Sequence, residues 1–160
     1  MLTIILPTFN EINSGYLHRI LDVFQELKEE SAIDIILVDG GSTDGTLELI
    51  SKYPFRLYQL ANSTRSARLK KGYEQALGKM ILFHHPRSTL TIESIKELSE
   101  KTDQKIWGGF THKFDKEGVF FKFTSWYSNY IKLEKRGVVY LDHCLFFHRS
   151  LLSSGEIDDV

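Results

Sequence analysis

Apolar residues along this chain switch regularly between two periods over the first hundred positions. Residues 3–6 form a short β-branched and apolar run that Pro7 is expected to stop. From Leu17 onward, Ile20, Leu21, Phe24 and Leu27 recur at helical spacing before a charged KEE, which predicts a helix. Residues 33–38 (IDIILV) are apolar without alternation apart from Asp34, the pattern of a strand buried on both faces of a parallel sheet. Asp39 ends that run. GGSTDGT then turns into a segment carrying Leu47, Leu49, Ile50 and Tyr53, with Ser42, Thr43 or Asp44 as candidate helix caps. Residues 55–60 alternate like a half-exposed strand, 64–77 read as a basic helix and 79–83 (KMILF) as another buried strand. Thr91 is placed to cap a helix carrying Ile92, Ile95 and Leu98.

Strand and helix in strict alternation imply right-handed crossovers and an α/β fold, with a mostly parallel sheet and helices on both faces. After Lys105 the pattern changes. Residues 107–110 (WGGF) read as a glycine-interrupted strand, 119–133 as an aromatic-rich helix and 138–147 (VVYLDHCLFF) as one long strand. No linker or repeat divides the chain, so 1–160 is expected to be a single domain with a regular half (1–104) and an irregular half (105–160).

Composition narrows the class. A chain of 160 residues, 42% hydrophobic and carrying a net charge of −1, is expected to fold around its own core rather than remain disordered. One cysteine allows no internal disulfide, which favours a reducing, cytoplasmic setting. The N-terminus has no basic region before its short apolar run, and no stretch is long enough to span a bilayer, so neither a secretion signal nor a membrane span is expected. A pI near 6.6 argues against nucleic acid as a partner. The balance is local rather than uniform. Residues 1–50 hold nine acids against two bases, whereas 62–80 hold Arg65, Arg68, Lys70, Lys71 and Lys79 against Glu74 alone. That basic block is either a solvated helix face or an anion site.

Ligands of open parallel sheets bind beyond the carboxyl ends of the strands, where the crossover direction reverses. The first strand delivers Thr8, Phe9, Asn10 and Glu11 to that edge, the second Asp39, Gly40, Gly41 and Ser42, and the fourth His84, His85, Pro86 and Arg87. A carboxylate at Asp39 suits a ribose or a base N–H, and the neighbouring glycines let a ligand approach the backbone. The same stretch is also rich in turn formers, so Asp39 as a capping residue is the competing reading.

The pair PTFNE and VDGGSTDGT, about thirty residues apart, with a basic segment before the fourth strand, resembles the nucleotide-binding half of a family 2 glycosyltransferase with the GT-A fold. WGGF, YLDHCLFFHR and Gly155 resemble one bacterial subgroup of that family. The resemblance covers essentially the whole chain. It implies a nucleoside diphosphate sugar as donor, with Thr8, Asn10 and Glu11 near the nucleoside, Asp39 on the base, Gly40 and Gly41 beside it, and Arg65 or Arg68 on the phosphates. It makes 105–160 a partial acceptor-side half and implies inverting transfer to a hydroxyl of a glycan or lipid-linked acceptor.

Two departures from the family pattern stand out. Its members carry an Asp-X-Asp-like motif, or a single Asp, after the fourth strand to hold magnesium or manganese on the donor diphosphate. This chain reads FHHPRST there, with Arg87 at the matching position. Losing the acid weakens such a metal site, whereas a guanidinium supplies positive charge in its place; His84 and His85 are further metal-ligand candidates, set against packing or phosphate contact. The general base of the family lies in an acidic motif shortly after the glycine matched by Gly155. Here the chain reads EIDDV, so Asp158 and Asp159 are candidates, in competition with an acidic terminus, and Asp142 is a candidate on the acceptor side. Cys144 reads as a small core residue. Phe120, Phe121, Phe123, Trp126, Tyr127 and Tyr130, with Lys122 and Lys132, read as core packing or, alternatively, as peripheral contact with a membrane surface.

Overall fold

The computed structural model describes residues 1–30, 32–110 and 144–152. Strand β1 (Leu2–Thr8) is central and fully buried, and pairs in parallel along its whole length with β2 (Ile33–Asp39). Outside β2 lies β3 (Arg56–Gln59), also parallel. On the other side of β1 lies β4 (Met80–Phe83), parallel again. Two short strands complete the sheet, β5 (Trp107–Gly108) and β6 (Phe146–His148), with β6 antiparallel to both β4 and β5. The order among the described residues is therefore β3-β2-β1-β4-β6-β5. The chain winds outward from β1 through β2 to β3, then crosses back to β4 on the far side of β1. The crevice between the carboxyl ends of β1 and β4 is the switch point where such sheets bind ligands.

Alternate residues of each strand face opposite layers. Leu2, Ile4 and Leu6 of β1, with Leu37 and Leu82, pack against α1 (Leu17–Glu30) and α4 (Ile92–Glu100). The amphipathic spacing seen in the sequence is the contact face of α1, since Leu17, Ile20, Leu21, Phe24 and Leu27 are all buried. Ile5, Val38, Ile81 and Phe83 face the other way, against Leu69 and Tyr73 of α3 (Arg65–Gln75). Gly72 lets α3 approach closely, because a Cβ there would stand 2.4 Å from Cγ2 of Ile5. Thr64 caps α3 by accepting from the Ala67 N–H at 3.2 Å, and Thr91 caps α4 through the Ser94 N–H at 3.3 Å. The short helix α2 (Thr46–Ile50) starts behind Gly45, whose φ is 95°, and Asp44 accepts from the Thr46 N–H at 3.1 Å.

Two expectations change. Pro7 does not stop β1, which runs on to Thr8 with Pro7 opposite Val38. Pairing with β4 ends at Ile5 and Phe83, and the His84 N–H closes it by donating to the Ile5 carbonyl. The N–H that proline lacks would point past the last rung of β4, so nothing is lost from the ladder. The long strand expected over 138–147 is also shortened at its described end. Cys144 has φ 52°, a left-handed backbone that breaks extension, and β6 begins only at Phe146. Residues 138–143 lie outside the described residues.

Candidate functional site

At the carboxyl edge of the sheet, Thr8 and Asp39 end neighbouring strands in register, and both are fully buried. Oδ2 of Asp39 accepts from the Thr8 hydroxyl at 2.9 Å and from the Ser42 hydroxyl at 2.6 Å. Its Oδ1 accepts from the backbone N–H groups of Gly41 at 2.9 Å and Ser42 at 2.7 Å. Four protein donors thus occupy the carboxylate, about its full complement of lone-pair sites. Asp39 therefore acts first as the cap of its own loop, and a base N–H reaches it only by displacing a hydroxyl.

Asn10, at φ 52°, braces that loop from the other side. Its N–H donates to the Ser42 hydroxyl and its side-chain oxygen accepts from the Thr43 N–H, both at 2.9 Å. Gly41, at φ 93°, turns the loop against Ala61. Asp44 fastens the start of α2 by accepting from the Ile12 N–H at 3.1 Å and the Thr46 hydroxyl at 2.6 Å. Burial works to raise the Asp44 pKa, but the hydrogen bonds from Thr46 and Ile12 outweigh it and hold the carboxyl below its ordinary value.

Three arginines converge on a cleft of about 230 Å³ lined by Pro7, Phe9, Glu11, Arg65, Arg68, His85, Pro86 and Arg87. Arg65 and Arg68 share one face of the first turn of α3. Arg68 is buried, donates to the carbonyl of Thr8, and lies 5.7 Å from the ring centre of Phe9. Gly40 makes room for it, since a Cβ there would meet Nη1 of Arg68 at 2.7 Å. Burial lowers the Arg68 pKa, and the nearby carboxylates of Asp39 and Glu11 oppose that shift. On the β4 side, Arg87 donates through Nε to Oε2 of Glu11 at 3.1 Å; the Glu11 side chain is 9% exposed and that of Arg87 60%. The Glu11 backbone is itself held, its N–H donating to the Thr46 hydroxyl at 2.9 Å.

The adjacent histidines part company. His84 turns into the core, edge-on to Phe24 at 5.1 Å, and burial pushes its pKa down to about 3. A neutral, enclosed ring facing the α1 layer is packing. His85 lines the cleft, and its Nδ1 accepts from the Arg87 N–H at 3.1 Å.

The structure thus brings Glu11, Arg65, Arg68 and Arg87 together around one cleft and sets Thr8, Asn10, Asp39, Gly40 and Gly41 as the frame beside it. Asp142, Asp158 and Asp159 lie outside the described residues. Sequence reasoning gave Phe9 no role, although it is 50% exposed at the cleft and stacked near Arg68; an aromatic between a strand end and a turn was the available signal. Cys144 is fully buried and its sulfur accepts from the His85 N–H at 3.4 Å, so it supports the cleft loop from below.

Among the described residues the donor set does not suit a divalent cation. No group of three His, Cys, Asp or Glu side chains comes together among the described residues. Glu11 is the acid among the described lining residues, and its charge is already paired with Arg87 in a setting that holds two further guanidiniums.

The description glycosyl transferase family 2 belongs to the family model that matches residues 3–155. Among solved structures, the chain is similar to the mannosyltransferase PcManGT from Pyrobaculum calidifontis in complex with GDP-Man and Mn2+. The TM-score is 0.66 at 16% identity, covering 94% of this chain and 45% of that one. Glucosyl-3-phosphoglycerate synthase from Mycobacterium tuberculosis, in complex with phosphoglyceric acid, gives a TM-score of 0.67 at 15% identity, covering 95% and 58%. TarS 1-349 from S. aureus, in complex with UDP-GlcNAc, gives 0.60 at 22% identity, covering 74% and 36%. Those similarities establish the GT-A glycosyltransferase fold. The chain spans 36–58% of the lengths of these three proteins. Among curated proteins, none matches the sequence significantly.

Proposed function

The chain belongs to glycosyl transferase family 2, and on that premise we propose that it binds a nucleoside diphosphate sugar in the cleft between β1 and β4 and transfers the sugar to an acceptor hydroxyl. The observation that carries this reading is the convergence of Arg65, Arg68 and Arg87 on the switch point of the sheet. A diphosphate needs cationic donors, and guanidiniums offer it paired N–H groups. The nucleoside would lie toward Thr8, Asn10, Glu11 and the Asp39 to Ser42 loop, with Gly40 and Gly41 permitting close approach.

In the proposed reaction the bond from the anomeric carbon to the diphosphate oxygen breaks, and a bond from that carbon to the acceptor oxygen forms. The nucleoside diphosphate leaves with the added charge, which the arginines stabilise. The acceptor proton passes to a carboxylate, for which Asp142, Asp158 and Asp159 are the candidates; inversion at the anomeric carbon belongs to the same proposal. A glycan or lipid-linked acceptor and a cytoplasmic site at the membrane face complete it. Among the described residues no helix is long and apolar enough to cross a membrane.

A second reading is a donor-binding module without turnover, favoured by Arg87 standing where the family carries an acid. Release of UDP or GDP from UDP- and GDP-sugars in the presence of a hydroxyl acceptor separates the two. Calorimetric titration with UDP and GDP tests the shared premise: a nucleotide is expected to bind, and Asp39→Ala to abolish that binding by releasing the loop. Unchanged affinity in the variant would sink the proposed site.

A further inference from the structure

We propose that this cleft holds the donor diphosphate without a divalent cation, with Arg87, fixed by Glu11, supplying the positive charge directly. The inference rests on the donor-site reading above and specifies its electrostatics.

Three observations meet here. Glu11, at 9% side-chain exposure, pairs through Oε2 with Arg87 Nε at 3.1 Å. Arg87 is 60% exposed, pairs with Glu11 through Nε and lines the cleft, so its guanidinium stands at the cleft surface beside that pair. Arg68 is buried and anchored to the Thr8 carbonyl, and the carboxylates of Asp39 and Glu11 favour its charged form.

Charge decides between a metal and an anion. The described residues of the lining hold three guanidiniums against one carboxylate, a net excess of positive charge in a partly enclosed space. Among these described residues, a divalent cation would meet three like charges and one carboxylate that is already paired with Arg87. A diphosphate would meet the reverse, since in partly solvated surroundings opposite charges attract as strongly as like charges repel. Glu11 then acts as a positioning residue: it orients the Arg87 guanidinium before the ligand arrives and lowers the cost of ordering a long side chain.

The test is calorimetric titration of UDP and GDP into the full chain stripped of metal by chelation, repeated with manganese added. The expected result is binding with the chelator present and no gain from manganese. Arg87→Ala should weaken that binding by about tenfold or more, as loss of a charge-assisted hydrogen bond does, with the circular dichroism spectrum unchanged because the side chain is largely solvated. Binding that requires manganese, or Arg87→Ala with wild-type affinity, overturns the inference and leaves the donor-site reading standing. Absence of binding for both nucleotides under both conditions overturns the two together.

Discussion

Thr8 and Asp39 are joined hydroxyl to carboxylate at 2.9 Å, and Thr3 and Asp34 repeat the same bond at 3.0 Å at the opposite end of the same strand pair. The two pairs are alike in sequence separation and unlike in what surrounds them. Asp34 also accepts from Nη1 of Arg56 at 3.0 Å and from the Leu77 N–H at 3.2 Å, so it ties β1, β2, β3 and the exit of α3 together at the amino edge. Asp39 holds a loop at the carboxyl edge, beside the cleft.

That contrast predicts separable phenotypes for the two aspartates. Asp34→Ala removes the carboxylate shared by Arg56, the Thr3 hydroxyl and the Leu77 N–H, and is expected to cost about 2–3 kcal/mol of stability; Arg56 is partly solvated and keeps its bonds to Tyr58 and the Gln75 carbonyl, which holds the loss below that of a fully buried pair. Nucleotide affinity should be retained under folding conditions. Urea unfolding followed at fixed pH, alongside titration with UDP and GDP, checks both halves. A loss of affinity as large as that in Asp39→Ala would contradict the division.

Gly40→Ala should act on the site with little effect on the fold. The new Cβ would stand 2.7 Å from Nη1 of Arg68 and 3.2 Å from the Phe9 ring, so the guanidinium must leave the Thr8 carbonyl. Nucleotide binding is expected to weaken by about tenfold, the worth of one charge-assisted contact, while the unfolding midpoint moves little. Wild-type affinity in this variant would show that Arg68 does not face the ligand.

His84 predicts an acid-sensitive fold. Its pKa falls from about 6.5 in the unfolded chain to about 3 in the folded one, because burial disfavours the charged ring. Between those values the unfolded chain holds a proton that the folded chain does not, so stability is intact above about pH 6.5 and declines as pH falls toward 3. The loss should reach about 2 kcal/mol by pH 5. His84→Phe, which keeps an aromatic against Phe24, should flatten that part of the curve, and unfolding measured at pH 7 and pH 5 for both proteins tests it. An unchanged slope in the variant would assign the acid sensitivity elsewhere.

Much of the fold was legible in advance because local rules and global packing agree. The apolar run at 33–38 could only be satisfied on both faces, and the spacing from Leu17 to Leu27 could only be satisfied on one. Pro7 misled because its effect depends on which neighbour its missing N–H would have met, and that partner is set by where β4 ends. Cys144 misled because hydrophobicity alone does not reveal a left-handed backbone inside an apolar run.

For the site, the sequence by itself determined which residues reach the carboxyl edge, since strand ends and the spacing of Arg65 and Arg68 follow from periodicity. Only the tertiary structure decided what those residues face. Asp39 and Asp34 are both strand aspartates preceded by a threonine partner thirty-one positions earlier, and His84 and His85 are adjacent and identical in type. Their different roles come from the sheet order, which sets Asp39 beside a crevice and Asp34 beneath the end of α3, and from the pleat, which sends consecutive side chains to opposite layers. The pairing of Arg87 with Glu11 is likewise a product of packing, because the contact spans seventy-six positions of chain and exists only where β1 and β4 end side by side.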